Sequence, residues 1–152
     1  MTRIEVKLNL DAVAPLLDVM KAAADDLGPM LAVDAHVPDH DVELAHSWRT
    51  EFMSGQRSDL AVLLGMFDSD FFGTGVIAFD PTNCEPILRA CTAIRLRLRA
   101  VQLREFDDEN LEAGEFTLET MSGLQRRAFA AYAFLATLQE VIISHLDPAS
   151  GE

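Results

Sequence analysis

Lysine is nearly absent from this chain. Lys7 and Lys21 are the only two among 152 residues, and 12 basic side chains face 25 acidic ones for a net charge of −13. Nucleic-acid binding depends on Lys and Arg displacing the counterions around phosphates, so the balance argues against it. Docking on an anionic lipid surface is disfavoured for the same reason. Cysteine is scarce too. Cys84 and Cys91 lie seven residues apart, which on one helix separates their backbones by ~10 Å, too far for a disulfide. They read as reduced thiols in the core of a cytoplasmic protein. No uninterrupted apolar run reaches the roughly 18–20 residues of a membrane span. Met1-Thr2-Arg3 leads into alternating charge instead of the apolar core of a secretory signal.

Several catalytic signatures are missing as well. There is no G-x-S-x-G elbow, and neither cysteine has a histidine near it in sequence. Asp68-x-Asp70 before Gly73 falls short of a calcium loop, because Phe72 stands where a third oxygen ligand is needed. Gly73-Thr74-Gly75 precedes a β-prone run instead of following one, the wrong order for a phosphate-binding turn.

What is present is half apolar, 49% of residues, and long enough for one domain, 1–152, with a real core. One phrase occurs twice. Arg3–Leu10 alternates apolar and polar residues, reaches Asp11 and passes into Val13, Leu16, Leu17 and Met20 at helical spacing. Gly75–Phe79 is a second β-prone run, followed by Asp80-Pro81 and then Ile87, Leu88, Cys91 and Ile94. Each acid is expected to cap a helix. A lone short strand cannot satisfy its own backbone, so the two are expected to pair.

Between them, the first helix is expected to end near Leu27 at Gly28-Pro29, and residues 30–41 read as a loop. Leu44, Trp48, Phe52 and Met53 mark a second helix ending near Gly55, and Ser58 or Asp59 starts a third with Leu60, Leu63, Leu64 and Phe67 on one side. In the second half, Ile87, Cys91, Ile94, Leu98 and Val101 form the seam of an antiparallel helix pair. An acidic connection holds a short helix from Asp108 to Ala113, and Leu118–Leu146 reads as one long helix whose middle, Phe129–Ala136, is apolar all round and expected to be central. The expected fold is mainly α: about five helices around a central C-terminal helix, with a small two-stranded β ribbon.

Three groups of residues are candidates for function. Asp34, His36, Asp39, His40, Asp41, Glu43 and His46 are the densest set of metal-ligand types, with His36, His40, Glu43 and His46 the strongest donors. Glu43-x-x-His46 has the spacing of di-iron bundles, but the second such pair is missing: His145 has Val141 and Ile142 upstream. With no H-E-x-x-H either, no metal and no cofactor is expected. In the second group, Arg95 and Arg99 share one flank of their helix and Arg97 and Arg104 the other, while Gln139 and Glu140 interrupt the apolar last helix. The expectation is that Glu140 pairs with one of these arginines across the helix pair, or that Arg95, Arg99, Gln139 and Glu140 line a pocket for an anion or a peptide terminus. The third group, Trp48, Phe52, Phe71 and Phe72, supplies candidates for an exposed apolar patch.

Leu88-Arg89-x-x-x-x-Ile94-Arg95-Leu96 in one helix and Tyr132-x-Phe134-Leu135-x-x-Leu138-Gln139-Glu140 in the last carry a resemblance, supported by the layout of Ile4–Leu17 and Val76–Pro81. On these residues the chain resembles a bacterial domain family of unknown function, best represented in actinobacteria. That resemblance implies a cytoplasmic protein. It also implies a gene beside that of the adaptor delivering N-degron substrates to the Clp protease, and hence a role near regulated proteolysis. It supplies no catalytic residue. The reading is a non-enzymatic interaction or regulatory protein with a protein partner, no nucleic acid and no membrane. A homodimer would be one way to cover so much apolar sequence. The alternative is a small-molecule or metal-dependent enzyme with its site between the acidic loop 34–46 and the helix bundle.

Overall fold

The computed structural model of the chain describes residues 2–32, 42–106 and 121–146. Strand β1 (Ile4–Lys7) leads into helix α1 (Leu10–Asp26). After it come α2 (Val42–Gly65), the short α3 (Ser69–Thr74), strand β2 (Val76–Phe79), α4 (Cys84–Ala100) and α5 (Gly123–Leu146).

The two strands pair antiparallel, as their isolation in sequence requires, with Ile4 opposite Phe79 and Lys7 opposite Val76. Ile77 and Phe79 face the core. The register is closed by Gly75, which has φ 74° and ψ 11°, ends α3 by donating its N–H to the Phe71 carbonyl, and accepts from Leu8 N at 2.7 Å. At the first strand-to-helix turn an asparagine caps in place of the expected acid; at the second the capping position is also an asparagine, but it makes no side-chain cap bond and the expected acid, Asp80, accepts from the backbone of the turn. Asn9 Oδ1 accepts from the backbone of Asp11 and Ala12 at the start of α1. At the second turn Asn83 is the capping position of α4, and its Oδ1 instead accepts from Asp80 N at 2.8 Å while Asp80 Oδ1 accepts from Asn83 N at 3.0 Å. Asp80 thus shapes the turn from three residues before the capping position.

Among the described residues there are four long helices and one short helical turn, where about five helices were expected. The two helices expected to part at Gly55 are one continuous helix, α2. A single helical glycine costs only ~1 kcal/mol against alanine, too little to break a helix with good formers on both sides. The expected short helix at Asp108–Ala113 lies outside the described residues, and the last helix begins at Gly123, after the non-helical Met121 and Ser122, later than the expected start at Leu118.

Helix α4 packs against α1, α2 and α5, and α5 packs against α1 and α4. The seam Ile87, Cys91, Ile94 and Leu98 is fully buried, whereas Val101 lies at the C-terminal cap, 38% exposed. Arg104 lies beyond the end of α4, so it does not share a helix with Arg97. Helix α5 is not buried all round: Ala128, Ala131, Leu135, Leu138 and Ile142 form one inward stripe, while Leu124 and Ile143 are exposed. By length and composition α5 meets the measure of a membrane-crossing helix, with a mean hydropathy of 1.4 over its most apolar window; a soluble core helix meets the same measure.

Candidate functional site

A concavity of about 650 Å³ lies between α2 and α4, the size that takes a small molecule or a few side chains. Its α2 wall is Glu51, Phe52, Gly55, Gln56 and Asp59, spaced so that all share one side of the helix. Its α4 wall runs from Leu88 and Arg89 to Thr92 and Ala93, and Leu31 and Ala32 close one end.

Polar contacts hold this cleft in shape. Gln56 reaches from α2 to the turn after α1: its Oε1 accepts from Ala32 N at 2.9 Å, and its Nε2 donates to the carbonyls of Leu27 at 3.0 Å and Met30 at 2.8 Å. Arg57 donates to the Gly28 carbonyl from the next position. The Leu27–Ala32 turn is therefore clamped to α2, which places Leu31 and Ala32 at the cleft. Across it, Arg89 Nε and Nη2 donate to the two carboxylate oxygens of Asp59 at 2.9 and 3.0 Å. That fork-to-fork geometry favours the charged guanidinium, and donating to the Asp59 carboxylate raises the Arg89 pKa above its ordinary value.

Gly55 widens the cleft. A Cβ built on it would meet nothing within 4 Å, so no neighbour demands a glycine there. Glu51 sits on the same face and has no basic partner among the described residues. N-terminal to the cleft, Leu44 and Trp48 continue the line of Phe52 at four-residue spacing. Trp48 is 37% exposed and Phe52 49%. Nothing in α2 before Leu60 is buried.

The arginine group is assembled differently from the expectation. Glu140 is exposed. Its neighbour Gln139 makes the cross-helix contacts: Arg95 Nη1 donates to its Oε1 at 2.8 Å, and its Nε2 donates to the Leu88 carbonyl at 3.0 Å and to Thr92 Oγ1 at 2.8 Å. The Arg95 guanidinium also lies 4.4 Å from the centre of the Tyr132 ring. Arg99 donates to the Leu103 carbonyl at 3.0 Å, and Arg97 is 3.6 Å from Asp26. Arg95, Arg99 and Tyr132 line a common hollow of only about 130 Å³, and the acceptor that Arg95 meets on α5 is Gln139 where Glu140 was expected.

Of the metal-ligand types, Asp34, His36, Asp39, His40 and Asp41 lie outside the described residues, and Glu43 and His46 are exposed in the first turns of α2. Among the described residues no three His, Cys, Asp or Glu side chains gather as a metal site. Cys84 and Cys91 are free and buried, and burial pushes the Cys91 thiol up to about 12, against a smaller opposing pull from Arg95. A thiol held protonated in this way is a poor nucleophile. Of the aromatic candidates, Phe71 is fully buried, stacked edge-on against Phe67 at 5.1 Å, and Phe72 is 51% exposed.

The cleft itself had no local sequence signature. Asp59 and Arg89 are 30 residues apart, and Gln56 lies 24 to 29 residues from its partners. Only the exposed spacing of Trp48 and Phe52 pointed towards it. No family model, no curated protein and no solved structure matches the chain.

Proposed function

We propose that this protein acts by binding and not by catalysis, as an interaction or regulatory protein whose working surface is the α2–α4 cleft together with the Leu44–Trp48–Phe52 line. The observation that carries the reading is the cleft: about 650 Å³, with an apolar floor and a rim whose glutamine and arginine are already committed to structural hydrogen bonds. Pockets that bind usually combine apolar walls with a few fixed polar groups; of the ionisable groups lining the cleft, Asp59 and Arg89 are paired with each other and Glu51 stands as a single carboxylate with no second acid, base or nucleophile beside it. The proposed setting, the cytoplasm near regulated proteolysis, rests on the resemblance carried by the α4 and α5 residues.

The test is a comparison of partners captured from the source cells by the native chain and by Gly55→Leu, which fills the cleft without a backbone clash. The reading expects a reproducible partner held by the native chain and lost from the variant. Identical capture by both would overturn it.

A further inference from the structure

We propose that the cleft seats a basic amphipathic α-helix of a partner protein, with apolar side chains entering between α2 and α4 and a Lys or Arg lying over Glu51. This rests on the binding reading above and adds the partner's chemistry.

Three independent features converge on an elongated, cationic occupant. The first is length. The apolar line from Leu44 to Phe52 spans eight residues, ~12 Å of helix axis, and runs directly into the cleft wall at Phe52 and Gly55. A compact ligand would use the cleft and leave this line untouched. A helix with anchors at i, i+3 or i+4, and i+7 would use both.

The second is close approach. Gly55 sits in mid-helix at a cost of ~1 kcal/mol relative to alanine, with open space where its side chain would be. The fold gains nothing from that glycine, but a docked helix gains room to lie deep between α2 and α4.

The third is charge. Glu51 is exposed beside the apolar face, three residues from Trp48, four from Gly55 and next to Phe52, with no basic partner among the described residues. An acid there would repel an anionic or purely apolar occupant being desolvated against it and would attract a cation. The net charge of −13 extends the same preference over the approach to the site.

The test uses three synthetic, fluorescein-labelled helical peptides with leucine on one face and lysine, glutamine or glutamate on the flanks. Binding is read by polarisation and by the emission of Trp48, the single tryptophan of the chain. The leucine/lysine peptide is expected to bind, to shift Trp48 emission and to weaken with added salt. The glutamate peptide should bind at least about tenfold more weakly. Gly55→Leu and, separately, Phe52→Ser should each weaken the lysine peptide by about tenfold or more, as loss of a central contact does. Glu51→Gln should weaken it roughly two- to fivefold.

Equal binding of the lysine and glutamine peptides, both lost in Gly55→Leu, would overturn the basic partner while leaving the cleft a binding surface. Lysine-peptide binding that survives both cleft variants would be attraction to overall charge and would overturn the proposal. So would no binding of any peptide. Self-association seen by sedimentation and abolished by Gly55→Leu would assign the cleft to a second copy and overturn it as well.

Discussion

Arg89 on α4 grips Asp59 on α2 through two hydrogen bonds of 2.9 and 3.0 Å, joining the two walls of the cleft at their rim. The partners are unequally exposed, 58% for the arginine side chain and 14% for the aspartate. Removing the arginine therefore strands a mostly covered carboxylate, while removing the carboxylate frees a guanidinium that water can solvate. Arg89→Ala should cost about 1 kcal/mol, and Asp59→Asn less, because a stranded group costs more than a released one. Urea unfolding with and without added salt checks this, and equal losses in the two variants would contradict it.

Gln139 and Glu140 are neighbours with opposite roles. Gln139→Ala removes three cross-helix hydrogen bonds and should destabilise by roughly 1–3 kcal/mol. Glu140→Ala, on the solvent side, should change stability by less than about 0.5 kcal/mol. Thermal melts of both variants decide it.

The glycines at 55 and 75 should respond in opposite directions to alanine. At Gly55 the helix is regular and the space open, so Gly55→Ala should raise stability by about 1 kcal/mol. At Gly75 the backbone has φ 74°, and a Cβ would stand 2.9 Å from the Leu8 carbonyl oxygen. Gly75→Ala should lower stability by roughly 1–2 kcal/mol from the left-handed conformation alone, with the contact adding to that. Denaturation midpoints of the pair test both signs.

Hydrogen bonds from the Thr82 side chain and then its backbone hold Asp80 below the ordinary aspartate pKa. A carboxylate depressed in the folded state contributes stability that is fully present above its unfolded pKa and lost as pH falls through the folded value. The native chain should therefore lose stability on acidification below the ordinary aspartate range more steeply than Asp80→Asn. Melting temperature against pH for the two proteins would show the difference, and parallel curves would refute it.

The parts of this fold that could be read in advance are those written in short-range pattern. The inward stripe of α4 repeats at three and four residues, Gly28-Pro29 stops α1, and two strands without other partners had only each other. Gly55 misled because glycine's cost is small beside the continuity of a helix that packs further along, at Leu60 and Leu63. Glu140 misled because attention to charge overrode phase: the stripe through Leu135, Leu138 and Ile142 places position 139 beside α4 and position 140 behind it. The cleft was out of reach because its clasp, Asp59–Arg89, and its clamp, Gln56 on the Leu27–Ala32 turn, depend on helix placement that no local pattern encodes.

The unburied first three quarters of α2 have a consequence for how the molecule opens. From Val42 to Asp59 no residue is buried, whereas Leu60 and Leu63 are anchored in the core. Local opening free energies follow the density of buried contacts, so amide exchange should grade along this one helix, fast near Trp48 and slow beyond Leu60. Anything that settles on Leu44, Trp48 and Phe52 would extend slow exchange towards the start of the helix, and that protection would appear even where the overall melting temperature hardly moves.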